Sequence, residues 1–170
     1  ETGFGERLTE LADIAEAVAN YAATCGRKLR NQKTLASGIM VFIHTNLNDT
    51  THPPYYNQTI IQLPVPTSDS SELIFYAQTA LKSIFKPGYR YKKAGVVITE
   101  IVPEFPQQTN MFDLQRTKYK NAMIAMDNLN NLYGNHKVRI ASQGFGRKWR
   151  LKNEKLSPCY TTRFDDILKI

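Results

Sequence analysis

The sequence predicts an α+β domain of the ferredoxin-like β-α-β-β-α-β type. Such a domain has a four-stranded sheet with two helices on one face, here followed by a third helix and a mixed tail. Three observations carry the prediction. Residues 8–30 and 69–85 repeat apolar side chains at intervals of three and four, the period of an amphipathic helix. Residues 37–45, 56–63 and 96–102 are short β-branched or apolar runs bounded by turn residues. These segments follow one another as helix, strand, strand, helix, strand, and a short strand at residues 1–4 completes the pattern. A chain of 170 residues, 42% hydrophobic and 11% aromatic, can build such a core as one domain or a domain with an appendage.

The first helix, residues 8–30, aligns Leu11, Ala15, Val18, Ala22, Cys25 and Leu29 on one face. Cys25 on that face reads as a small core residue rather than a nucleophile. The helix ends in Arg27, Lys28, Arg30 and Lys33, cations that suit its C-terminal dipole and are equally able to meet phosphate. The strands at 37–45 and 56–63 are expected to pair antiparallel around a loop at 46–54, with Pro64 and Pro66 ending the second. Asp69 reads as the N-cap of the second helix, with Glu72 completing a capping box. Leu73, Ala77, Leu81 and Ile84 form its core face, and Pro87-Gly88 breaks it.

The basic run at 88–93 then leads into the apolar strand 96–102, which Pro103 and Pro106 stop. The third helix is expected at 114–133, with Tyr119, Met123, Met126, Leu129 and Tyr133 as its apolar stripe. Gly134-Asn135 ends it, and residues 137–141 read as a short strand. From Gln143 onward glycine, cations and aromatics mix without a clear period.

Lysine and arginine outnumber aspartate and glutamate by 22 to 15, for a net charge of +7. That excess favours nucleic acid or another anionic partner. There is no Walker loop, GxSxG or HExxH, and the only adjacent carboxylates, Asp165-Asp166, lie near the end of the chain. The chain therefore reads as a binding module, not a catalyst. Cys25 and Cys159 lack metal-ligand spacing, His44, His52 and His136 are scattered, and no metal site is expected. No apolar run approaches roughly 18 residues, so no membrane span is expected. Free thiols without a secretory signal point to the cytoplasm. The start at Glu1, close to a helix, reads as a piece of a longer protein. With two helices on one face, the other face of the sheet is open. Its expected DNA contacts are Arg90, Lys92 and Lys93, with Thr45 and Asn46, and with Arg27, Lys28 and Arg30 at the helix end. Strand alternation sends Lys92 and Lys93 to opposite sides.

Several runs resemble one family. They are Phe4-Gly5-Glu6-Arg7, Gly88-Tyr89-Arg90-Tyr91-Lys92-Lys93-Ala94-Gly95-Val96, Gln108-Thr109-Asn110-Met111-Phe112-Asp113 and Leu156-Ser157-Pro158-Cys159-Tyr160-Thr161-Thr162-Arg163-Phe164. Together they are similar to the C-terminal part of UmuC-type Y-family translesion DNA polymerases, the catalytic subunits of the DNA polymerase V type. The resemblance covers nearly the whole chain. It implies a little finger DNA-binding domain at 1–113, ending in a clamp-binding peptide, and a UmuC-specific extension at 114–170. It implies a parent DNA-directed DNA polymerase of error-prone SOS repair. The palm of that polymerase, with its Mg²⁺-binding carboxylates, would precede Glu1, so this fragment needs no cofactor of its own.

The implied partners are double-stranded template-primer DNA, the β sliding clamp and, through the tail, UmuD′ and the recombinase filament. Gln108, Thr109, Asn110, Met111 and Phe112 resemble the clamp-binding pentapeptide, with Thr109 where leucine is usual. The family usually carries a serine- and arginine-rich run where Glu1-Thr2-Gly3 stands, arginine at Cys159 and tryptophan at Phe164. Between Gln143 and Arg163 the cations Arg147, Lys148, Arg150, Lys152, Lys155 and Arg163 stand against Glu154 alone, and Trp149 reads either as a partner anchor or as packed on the module itself. The alternative reading is a protein-interaction module that docks partner subunits, its basic charge incidental. Steep salt dependence of DNA binding separates the two.

Overall fold

The structure is a computed structural model and describes residues 2–49, 52–104, 114–134, 136–146 and 149. Its elements are β1 (Thr2–Leu8), α1 (Leu11–Gln32), β2 (Thr34–Thr45), β3 (Tyr56–Thr67), α2 (Ser70–Ile84), β4 (Tyr91–Pro103) and α3 (Leu114–Tyr133), then a 3₁₀ turn at Ala141–Gln143. The strands form one sheet in the order β1-β4-β2-β3, and every neighbouring pair is antiparallel. This is the expected β-α-β-β-α-β arrangement.

The core lies between one face of the sheet and the helices α1 and α2. Ile39, Val41 and Ile43 of β2, Ala94 and Val96 of β4, and Phe4 and Leu8 of β1 are buried against Ile14, Val18, Ala22 and Leu29 of α1. Leu73, Ala77, Leu81 and Ile84 of α2 complete it. Each large aliphatic side chain so placed contributes about 1.5–3 kcal/mol. The helices approach closely because α1 turns small residues toward α2: a Cβ on Gly26 would lie 2.6 Å from Ser70 Oγ. Asp69 caps α2 as expected, its carboxylate accepting from the backbone N–H groups of Ser71 and Glu72. Tyr91 is fully buried. Its hydroxyl accepts from the Lys86 N–H and donates to the Lys86 carbonyl, both at 2.9 Å, which closes the loop between α2 and β4. Burial pushes its phenol above the ordinary range.

Several boundaries differ from expectation for physical reasons. β1 runs to Leu8, because Phe4 and Leu8 are core residues in extended backbone, and α1 starts later. β3 continues through Pro64 and Pro66 to Thr67. It is an edge strand, where a missing N–H costs no ladder bond on the free side. On α1 the buried set includes Ile14, Ala17, Ala19 and Ala23, while Leu11, Ala15 and Cys25 are only partly buried. The cause is a second covering layer, described next. Burial also raises the Cys25 thiol above its ordinary range, against the opposing field of Lys28, in keeping with a packing role.

That layer is the segment after β4. On α3 the buried residues are Met123, Asp127 and Asn130, whereas Tyr119, Leu129 and Tyr133 of the expected stripe are exposed. The ridge facing the body is therefore partly polar. Arg30 explains it. Its Nε and Nη2 donate to the two carboxylate oxygens of Asp127 at 2.6 and 2.9 Å, and its Nη1 donates to the Ser68 carbonyl and Ser70 Oγ. Asn130 exchanges two hydrogen bonds with the backbone of Val138. Residues 137–141 form no strand. They turn into the 3₁₀ segment, where the Asn20 amide donates to the Gln143 carbonyl at 2.7 Å. Trp149 packs edge-on to Tyr21, and its Nε1 donates to Glu16 at 3.0 Å, so this tryptophan packs on the module.

The Arg30–Asp127 side chains are only 9% and 12% exposed, whereas Lys120 of the Lys120–Glu104 pair is 54% exposed. Removing one member of a buried pair strands the other, while an exposed pair contributes little. Urea unfolding should show Arg30→Ala losing about 3–5 kcal/mol and Lys120→Ala about 1 kcal/mol or less. Equal effects of the two variants would mean that the buried pair is not what holds α3.

Candidate nucleic-acid interface

Strand alternation decides which side chains reach the second face of the sheet. On β2 the core takes Ile39, Val41 and Ile43, so Met40, Phe42 and His44 point the other way. The register sets His44 between Tyr56 of β3 and Lys93 of β4, Phe42 between Gln58 and Gly95, and Met40 between Ile60 and Val97. Gly3 of β1 pairs with Lys93 at the far side. The helices occupy the other face, and α3 and Trp149 pack around α1. Tyr56 at 55%, Ile60 at 53% and Val97 at 40% exposure confirm that this face is open among the described residues.

Its centre is aromatic. The Phe42 and His44 rings are nearly parallel, 14° between planes, with centroids 6.4 Å apart, and Tyr56 continues the row 6.2 Å from His44. Phe42 lies over Gly95: a Cβ there would come within 2.3 Å of the ring. Gly38 makes similar room, since its Cβ would fall 2.3 Å from Thr99 Oγ1. Polar groups border the row. Tyr56 donates its hydroxyl hydrogen to Gln58 Oε1, and Gln62 donates to Glu100.

Cations stand at the rim. A recess of about 30 Å³ at one end of the sheet is lined by Arg7, Thr45, Asn46, Asp49, His52 and Arg90, among others. It unites three expected residues, Thr45, Asn46 and Arg90, with Arg7 and His52, which the sequence did not single out. Arg7 pairs with Asp49 at 2.8 Å, and His52 lies 3.3 Å from the same carboxylate. The signal for Arg7 was available in the length of β1, which extends to Leu8. The Thr45 hydroxyl is engaged by Tyr55, whose N–H it accepts at 2.8 Å, so it holds the β2–β3 loop. A bulge lies between the Thr45–Tyr91 and His44–Lys93 pairs. Lys92 sits in it and is exposed, while Lys93 is half-buried on the open face.

The α1 cations do not join this face. Arg27 lines a groove with Met126, Asp127 and Asn130, Lys28 is exposed on the helix layer, and all three guanidinium nitrogens of Arg30 are engaged in the network above. The expected phosphate contact by Arg30 is corrected accordingly: its charge is neutralised inside the fold. The clamp-like peptide Gln108, Thr109, Asn110, Met111 and Phe112 lies outside the described residues, as do the tail cations. No described helix is long and apolar enough to cross a membrane. Among the described residues no three His, Cys, Asp or Glu side chains converge as metal ligands.

Comparison with known proteins adds the relatives of this arrangement. Residues 1–111 match the family model described as the impB/mucB/samB family C-terminal domain. Residues 120–170 match one described as a domain of unknown function. The chain is 36% identical to Protein UmuC of Salmonella typhimurium over 98% of its own length and 40% of the relative's. It is 36% identical to Protein ImpB of the same organism over 96% of the chain and 39% of the relative. Against Protein MucB of Escherichia coli it is 33% identical over 96% of the chain and 39% of the relative. The chain thus spans about 40% of the length of the curated relatives it matches.

The seat under Phe42 has a measurable consequence. Gly95→Ala should force the ring off the sheet and cost about 1–3 kcal/mol in urea unfolding. The same substitution in a Phe42→Leu background should cost clearly less, and identical losses in both backgrounds would show that the ring does not rest on Gly95.

Proposed function

The chain belongs to the impB/mucB/samB family, whose C-terminal domain it contains, and from that premise we propose that it is the little finger of a UmuC-type translesion polymerase. Its task in this reading is to hold template-primer duplex during SOS repair synthesis in the cytoplasm. One observation carries the proposal: a sheet with one face open, with Lys93 on that face, Arg7 and Arg90 at one end of it, and Lys92 exposed in the neighbouring bulge. Cations on the rim of a rigid sheet are placed to meet phosphates, and phosphate contacts carry no sequence code. That suits a polymerase, which must pass along any template. Polymerisation itself is assigned to the part of the relatives that this chain does not span, together with the Mg²⁺-holding carboxylates it needs. No chemical step is assigned to the described residues.

Two further partners belong to the same proposal. Gln108 to Phe112 would bind the sliding clamp, with Met111 and Phe112 in an apolar pocket and the Gln108 amide hydrogen-bonded beside them. Burying two such side chains provides roughly 3–6 kcal/mol before ordering costs, which gives a modest, exchangeable contact. The extension would meet UmuD′ and the recombinase filament. The exposed Ile124, Leu132 and Tyr133 of α3 favour a protein-docking role for that segment, alongside DNA binding by the sheet.

Two measurements test these assignments. Lys92→Ala with Lys93→Ala should weaken binding to primer-template DNA and flatten its salt slope by about one to two units. Unchanged affinity in the folded double variant would refute the phosphate contacts. Met111→Ala with Phe112→Ala should abolish clamp binding and leave DNA affinity as it was; equal clamp binding by parent and variant would refute the hook.

A further inference from the structure

The open face poses a problem for a purely electrostatic grip on duplex DNA. A duplex presents phosphates and keeps its base faces stacked inside. Such a ligand calls for cations, yet the middle of this face is Phe42, His44, Tyr56, Met40, Ile60 and Val97, with Lys93 the one cation beside them, opposite His44. Tyr56, Ile60 and Val97 leave large apolar area in water, and contiguous exposed apolar surface marks a binding site. Arg7 and Arg90 stand outside this patch, at one end of the sheet.

We propose that the Phe42–His44–Tyr56 row is a stacking platform for unpaired bases, so that the same sheet also binds single-stranded DNA. The proposal rests on the reading that this face meets nucleic acid, and extends it from duplex backbone to exposed bases. Three features support it. The row crosses the two adjacent strands β2 and β3 with rings 6.2–6.4 Å apart, and successive aromatics on a rigid sheet are how unpaired bases are received. A glycine flattens the neighbourhood: Gly95 seats the Phe42 ring, where a Cβ would come within 2.3 Å of it. Gln58 stands opposite Phe42, and Lys93 opposite His44. An amide thus borders the bases, and an ammonium can follow the phosphates from platform to rim. A protein partner would fill an apolar patch too, but it has no need of an ammonium beside the rings, where Lys93 stands opposite His44. Two or three bases fit a row of this size.

The test uses the full chain and a short single-stranded oligothymidylate carrying one 2-aminopurine, whose emission falls when the base is stacked. Binding should quench that emission. Tyr56→Ala should weaken single-strand binding roughly 5- to 150-fold, the range for loss of one stacked base, with the salt slope unchanged and duplex affinity retained. Tyr56→Phe should behave as the parent, since the ring and not the hydroxyl is used. Lys92→Ala with Lys93→Ala should instead flatten the salt slope on both ligands. Unquenched emission, or equal single-strand affinity in parent and Tyr56→Ala, overturns the platform. If duplex binding with a steep salt slope persists in that case, the proposed little finger function stands without it. Absence of binding to either ligand defeats both.

Discussion

Two helices can cover one face of a four-stranded sheet and no more, and most of what distinguishes this chain follows from that limit. The covered face takes the aliphatic residues of β2 and β4 with the apolar faces of α1 and α2. The antiparallel ladder fixes the backbone, so alternation leaves no choice about what the uncovered face shows. A shift of one residue in β2 would trade Ile39, Val41 and Ile43 for Met40, Phe42 and His44. The stability of the core and the chemistry of the open face are thus set by the same register. The glycines at 38 and 95 belong to both, as ladder residues that leave space above the sheet.

The extension attaches by different physics. It returns to α1, and the ties it makes are largely polar: a bidentate guanidinium–carboxylate contact, an amide exchange between Asn20 and Gln143, and an indole N–H on Glu16. Polar ties of this kind are directional, so they fix where α3 sits better than an apolar stripe would. They also leave the apolar residues of α3 on the outside. The side chains of greatest interest for partners are therefore on two separate surfaces, the open sheet and the outer face of α3.

The fold was legible because its signals are local and periodic. The α2 face was read correctly from Leu73, Ala77, Leu81 and Ile84, and the Asp69 cap from its position before that period. The buried faces of α1 and α3 are less legible, since their burial depends on partners far away in sequence. Arg30 meets Asp127 across 97 residues, and no spacing rule links them; a helix-terminal arginine looks solvated until its carboxylate is found. The same gap explains why a tyrosine–methionine stripe on α3 looked like a core and is largely exposed. At the site, Arg90, Thr45 and Asn46 were expected separately as DNA contacts, and the antiparallel ladder brings them to one recess. Arg7 and His52 needed the true length of β1 and the path of the β2–β3 loop, which polar loop residues do not encode.

The bidentate contact between Arg30 and Asp127 also bears on how the two segments can change over time. Lysine offers one compact ammonium in place of a planar fork. It could not satisfy both carboxylate oxygens, the Ser68 carbonyl and Ser70 together. The position is therefore closed to the commonest charge-preserving replacement, and Asp127 is bound to its partner's choice. An extension grafted from a relative would be accepted only if it brought a matching acid at that turn of the helix. At this seam the two segments fit each other through one guanidinium and one carboxylate, and a change on either side leaves the other without its partner.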